Sequence, residues 1–247
     1  MACRLCKQDR KLIKAHAIPE AFFRVIREQD GETPLLITNA ADRHPKRSPI
    51  GVYDKGILCE ACEECFGPHD KYGTDCLIHK LDEYFSPIER GGETLAFSSD
   101  EIDQEQLKMF VLSVLWRAAV SSQEFYKSVE LGPYEERLRK VLLAGKTQSS
   151  DEFAVALSRW IVSDQRRSLV TGLMNPFWER WSGVNAVRLY LGSVVAYVKV
   201  DQRSFPTPIS EMVLGKRNTA VMVAREFDES KDLSIMRRAA RAAAKNT

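Results

Sequence analysis

The chain lacks any run of about 18 apolar residues, so no segment is long enough to cross a bilayer as a helix. Its first stretch, MACRLCKQDRK, has charges but no apolar block behind them, and does not read as a secretory leader. A cytoplasmic setting is therefore expected, without a membrane partner. There thiols stay reduced and disulfides are not expected. Charge of one sign is also missing: 36 Lys and Arg stand against 34 Asp and Glu, a net +2. The chain is no polycation, and any nucleic-acid contact has to come from local patches. Repeats are absent, and the only biased segment is the Ala- and Arg-rich tail. Residues 96–247 contain no Cys and no His. They also show no nucleotide-binding loop and no nucleophile motif.

What is present is an ordinary globular composition, 44% hydrophobic and 28% charged over 247 residues. That suffices for one large domain or two modest ones with a real core. All six Cys (3, 6, 59, 62, 65 and 76) and all four His (16, 44, 69 and 79) fall in the first 95 residues. This asymmetry places a boundary in SPIERGGETLAFSSDE, where Gly91, Gly92, Ser98 and Ser99 read as breakers and Asp100 as a helix N-cap. The expected division is 1–95, a cysteine-rich module, and 96–247, an α+β domain of mainly helical character with one β-hairpin.

Within the second segment, Leu107, Phe110, Val111, Val114 and Leu115 recur at helical spacing. GPYEERLRKVLLAG reads as a second helix, and SSDEFAVALSRWIVSD as a third, capped by Ser150 or Asp151. VNAVRLYLGSVVAYVKV is β-branched and aromatic, broken by Gly192-Ser193, and reads as a hairpin. NTAVMVARE reads as a strand and the tail SIMRRAARAAAKNT as a helix. Trp116, beside Arg117, and Trp178 and Trp181 could stack on bases, but among apolar neighbours these aromatics read as core.

The densest chemistry is in GILCEACEECFGPHDKYG. Its CEAC knuckle (Cys59, Cys62) pairs across about 50 residues with CRLC (Cys3, Cys6). Four thiolates match a tetrahedral structural Zn2+ site, and a long insertion between knuckles costs little closure entropy. A redox role for a CxxC is the competing reading. Cys65 reads as a bystander and Cys76 as a buried small residue.

CRLC…KAHAIPEAFF…DKGILCEACE resembles the zinc-bound, treble-clef form of the HNH endonuclease family, in a CxxC…HxIP…LCxxCE variant. The resemblance spans about residues 1–75. It implies a ββα-metal-like module that hydrolyses phosphodiester bonds of DNA. His16 falls on the general base, Asp54 on the middle Asn and Glu63 on the last His. Ala15 stands where the family usually carries a metal-ligating Asp or His. The catalytic set implied is thus His16, Asp54 and Glu63, with Glu63 binding a catalytic Mg2+ or Mn2+ and His69 and Asp70 in reserve. A neutral imidazole can deprotonate water near neutral pH, and a carboxylate suits a hard cation. Arg4, Lys7, Arg10, Lys11, Lys14, Arg43, Lys46 and Arg47 supply charge for phosphates, as do Arg237, Arg238, Arg241 and Lys245 in the tail. Residues 96–247 would give targeting, a partner surface or oligomerisation. The alternative is a zinc-stabilised binding module, for nucleic acid or protein, with a degenerate HNH site.

Overall fold

The computed structural model describes residues 2–30, 33, 35–38, 44–161 and 172–244. Arg43 and Lys245 lie outside these residues, as does the end of the expected third helix.

The first segment is made of short pieces. Strand β1 (Ala15–His16) leads through Ile18-Pro19 into helix α1 (Glu20–Asp30). Then come β2 (Leu35–Ile37), β3 (Lys46–Arg47) and β4 (Tyr53–Asp54). Helix α2 (Glu60–Thr74) starts directly after Cys59 and runs on through a π-helical turn, Asp75–His79, to the short helix α3 (Leu81–Tyr84). β1 pairs antiparallel with β4, setting Ala15 opposite Asp54 and His16 opposite Tyr53.

Residues 86–99 form a hairpin, β5 (Ser86–Arg90) and β6 (Glu93–Ser99), turning at Gly91-Gly92. Helix α4 (Gln104–Val120) follows, capped by Asp103, whose carboxylate accepts from the Gln106 N–H at 2.9 Å. The cap is therefore three residues later than the expected Asp100. Helix α5 is Pro133–Ala144. The rest is β7 (Val155–Ile161), β8 (Gly172–Met174), β9 (Phe177–Trp181), β10 (Val184–Leu191), β11 (Val194–Lys199), β12 (Ala220–Glu226) and helix α6 (Lys231–Ala244).

The segment expected to be mainly helical supplies most of a seven-stranded mixed sheet, in the order β5-β6-β12-β7-β11-β10-β9, whose edge strand β5 and the start of β6 come from before residue 96. Only β12–β7 is a parallel pair. The expected hairpin at Gly192-Ser193 is β10–β11, lying to one side of the central strand β7. The stretch expected as a third helix is the strand β7, lying between β12 and β11. A strand buried on both faces shows no clean alternation to mark it, and VALSRWI, with Ser158 and Arg159 in its middle, shows none, which is why the spacing misleads here.

On β11, Val194, Ala196 and Val198 join the main core with α4, while Val195 and Tyr197 join a second cluster with Leu233 and Met236 of α6. Helix α4 is buried from Leu107 to Ala118. The main core continues through it into Phe22, Phe66 and Leu77 of the first segment. Helix α2 meets α4 closely: a Cβ at Gly73 would lie 2.2 Å from the Phe110 ring. Among the described residues no helix is long and apolar enough to cross a membrane.

Candidate metal centre and histidine site

Cys3, Cys6, Cys59 and Cys62 converge, each sulfur within 4.8 Å of the others. A tetrahedral zinc with Zn–S bonds of about 2.3 Å spaces its sulfurs by about 3.8 Å, so the cluster fits a structural Zn2+. The first knuckle turns back through Lys7 N–H to Cys3 O at 2.9 Å. The two knuckles are tied by Arg4 N–H to Ile57 O at 2.8 Å and Ile13 N–H to Leu58 O at 2.9 Å. Burial opposes ionisation of Cys3, but N–H groups of Cys6, Cys59 and Leu5 outweigh it and bring its pKa down to about 7. Burial and the neighbouring sulfurs push Cys62 up. Four thiolates need a cation to coexist, and a tetrahedral four-sulfur set is consistent with a structural Zn2+. Cys65 is exposed and donates to Ala61 O; Cys76 is buried, as its sequence context indicated.

His16 lies on β1, half-buried, with its Nε2 3.0 Å from the Ile50 carbonyl. A carbonyl only accepts, so Nε2 carries the proton and Nδ1 is the basic nitrogen. Nδ1 has no hydrogen-bond partner among the described residues. Burial holds the ring's pKa below its ordinary value, against the pull of Glu20 and Asp70. The Ile50 carbonyl is presented by Gly51 at φ +77°, where an added Cβ would strike the Phe23 ring at 2.4 Å. A side chain there would meet both strain and a clash.

Among the described residues Asp54 makes no hydrogen bond to the imidazole. It faces Ala15, and its carboxylate accepts from Gly56 N–H at 2.8 Å, Ser122 N–H at 2.7 Å, Ser122 Oγ at 2.8 Å and Ser121 Oγ at 3.0 Å. Burial would raise its pKa, but these donors together hold it below the usual carboxylate value. Ala15 itself is fully buried.

On α2, Glu63 has a buried Oε2 and His69 a buried Nδ1, each without a hydrogen-bond partner among the described residues. Burial raises the Glu63 pKa, while Arg117 acts the other way. Asp70 is spoken for: both oxygens take a bidentate pair from Arg117 at 2.5 and 2.8 Å. Among the described residues the four cysteines are the only group of three or more Cys, His, Asp or Glu donors close enough to share an ion. A groove of about 570 Å³ runs beside β4, lined by Lys46, Arg47, Tyr53, Lys55, Ser122 and Gln123 among others. The Lys14 ammonium lies 5.2 Å from the centre of the Tyr53 ring.

Two elements of the site escaped the sequence reading. Ile50 contributes a backbone atom, for which no side-chain signal exists. Arg117 did leave a signal: a charge inside VLSVLWRAAV must have a partner if the helix is buried. Comparison of the chain with protein-family models, curated proteins and solved structures gives no match.

Proposed function

We propose that the chain is a metal-dependent endonuclease of the HNH type, with His16 as the general base acting on a phosphodiester bond of DNA. The observation that carries the reading is the His16 ring, held at Nε2 by the Ile50 carbonyl with Nδ1 left to take a proton. The chain order supports it: a Cys knuckle, the β1–β4 pair and a second knuckle at the start of α2 follow the treble-clef layout. Burial keeps the imidazole neutral at physiological pH, as a base requires. Lys46, Arg47 and Lys55 of the groove hold the strand by its phosphates. Asp54 positions β4 rather than reacting. Glu63 would hold the divalent cation through its unpartnered Oε2, since Mg2+ needs only one or two carboxylates beside water and phosphate oxygens. When bound, such a cation stabilises charge on the phosphate and the leaving oxygen.

The test is nicking of supercoiled plasmid with Mg2+, Mn2+ or EDTA, beside His16→Ala of verified zinc content. Metal-supported cleavage by wild type alone is expected. A wild type that never cuts DNA or RNA overturns the reading.

A second reading, a binding module without turnover, is favoured by one observation: Asp54 and Asp70 both spend their oxygens inside the protein. It expects salt-dependent binding that Glu63→Gln leaves unchanged.

A further inference from the structure

We propose that the C-terminal end of α4 is the positioning element of the His16 site, Arg117 holding the backbone of His16 against α2 and Ser121–Ser122 holding the strand paired with it. The inference rests on His16 as the working residue, and it gives residues 96–247 a part in a site otherwise built from the first segment.

β1 and β4 are two residues long each, joined by two residue pairs. A ladder that short cannot set its own geometry. Both strands are instead fastened to one helix end. Arg117 is fully buried, and its Nη1 donates to the His16 carbonyl at 2.9 Å and to Asp70 Oδ2 at 2.8 Å. Nη2 donates to Asp70 Oδ1 at 2.5 Å and Ser113 Oγ at 3.0 Å, and Nε to Ser113 O at 3.3 Å. The guanidinium has five N–H donors, and these bonds use all five. None is left for a phosphate, so Arg117 is a positioning residue and not a catalytic one. Phe66 of α2 packs on its face, 5.1 Å from ring centre to guanidinium carbon. Four and five residues on, Ser121 and Ser122 grip the Asp54 carboxylate through three hydrogen bonds. A lysine at position 117 has three donors and no planar fork, and cannot reach α2, β1 and Ser113 together.

The test uses the full chain, zinc-loaded, with 15N-labelled histidine. Wild type should show His16 as the Nε2–H tautomer with a slowly exchanging ring proton. In Arg117→Met that line should disappear into a tautomer average while zinc stays at one per chain, and Arg117→Lys should not restore it. The double variant Ser121→Ala/Ser122→Ala should weaken it. Where cleavage is measurable, kcat should fall about 100-fold with KM nearly unchanged, the cost of a roughly 1 Å misplacement. An unchanged ring line in zinc-loaded Arg117→Met, or full rescue by lysine, overturns the proposal. If the methionine variant does not fold, wild type decides. The Arg117 side-chain protons must then appear in slow exchange, with a nuclear Overhauser contact to the His16 backbone; their absence overturns it equally. A wild type that never cuts sinks the endonuclease reading and leaves this ring measurement standing.

Discussion

The two ends of the molecule hold buried arginines in opposite ways. Arg117 sits between segments: it fastens β1 and α2 to a helix from the other half, in a region whose strands β1 to β4 are two or three residues long. Arg188 sits within the large sheet, on β10, ion-paired with Asp232 of α6 and surrounded by Phe177, Tyr190 and Tyr197. The first region takes its order from four sulfurs and from borrowed contacts. The second takes it from a sheet whose strands β10 and β11 are buried along nearly their whole length. The lesson is that the chemically richer segment is the structurally poorer one, and its site geometry depends on elements outside it.

The strongest way to break this contrast is to remove the metal. Chelation or Cys59→Ser should abolish zinc binding and strip hydrogen-exchange protection from residues 2–79 while β7, β10 and β11 keep theirs. Structural zinc is worth about 10–16 kcal/mol in small modules, more than a short segment's own core can replace. Simultaneous loss in both regions would show that the shared core makes them one cooperative unit.

Next in size is the pair of arginines. Arg117→Met leaves Asp70 uncompensated and should cost about 3 kcal/mol in urea unfolding, as breaking one side of a buried pair does. Arg188→Met should cost about as much through Asp232, yet leave zinc content and the His16 ring signal untouched. An equal effect of both on His16 would dissolve the contrast.

A smaller effect is expected at Asp54. Its folded pKa is depressed, so its stabilisation is complete above the ordinary value of 3.8 and is lost as pH falls through the folded value. Asp54→Ala should therefore destabilise by about 2 kcal/mol at pH 7 and by progressively less in acid. A pH-independent deficit would mean that packing, not the carboxylate, is responsible.

Glu63 has the opposite sign. Its folded pKa is raised by burial, so the group favours the folded state below its ordinary value of 4.5 and loses that contribution as pH rises through the folded value. Glu63→Gln should then raise stability by about 1 kcal/mol at pH 7, with the gain vanishing below pH 4.5. Added Mn2+ should raise the Tm of wild type and not that of the variant. A destabilised Glu63→Gln would show that the carboxylate has a partner in solution.

The four-cysteine cluster was legible because ligand chemistry constrains residue type and spacing together: Cys3, Cys6, Cys59 and Cys62 are the two CxxC pairs, and they are the four that meet. The hairpin at Gly192-Ser193 and the helix 104–120 were legible from breakers and period. β7 was not, since strand identity in a doubly covered sheet comes from neighbours far along the chain. The helix start at Asp103 was misplaced because several acidic residues precede α4, and only geometry selects which one reaches the Gln106 N–H.

By itself, the sequence determined which four cysteines could share an ion, because that depends on which atoms the side chains carry and how they are spaced. Only the tertiary structure decided how His16 is held. The Ile50 carbonyl and the five donors of Arg117 reach His16 and its neighbours across 34 and 101 residues of chain, respectively. Contacts of that separation leave no local pattern; the packing of α4 against α2 and β1 creates them.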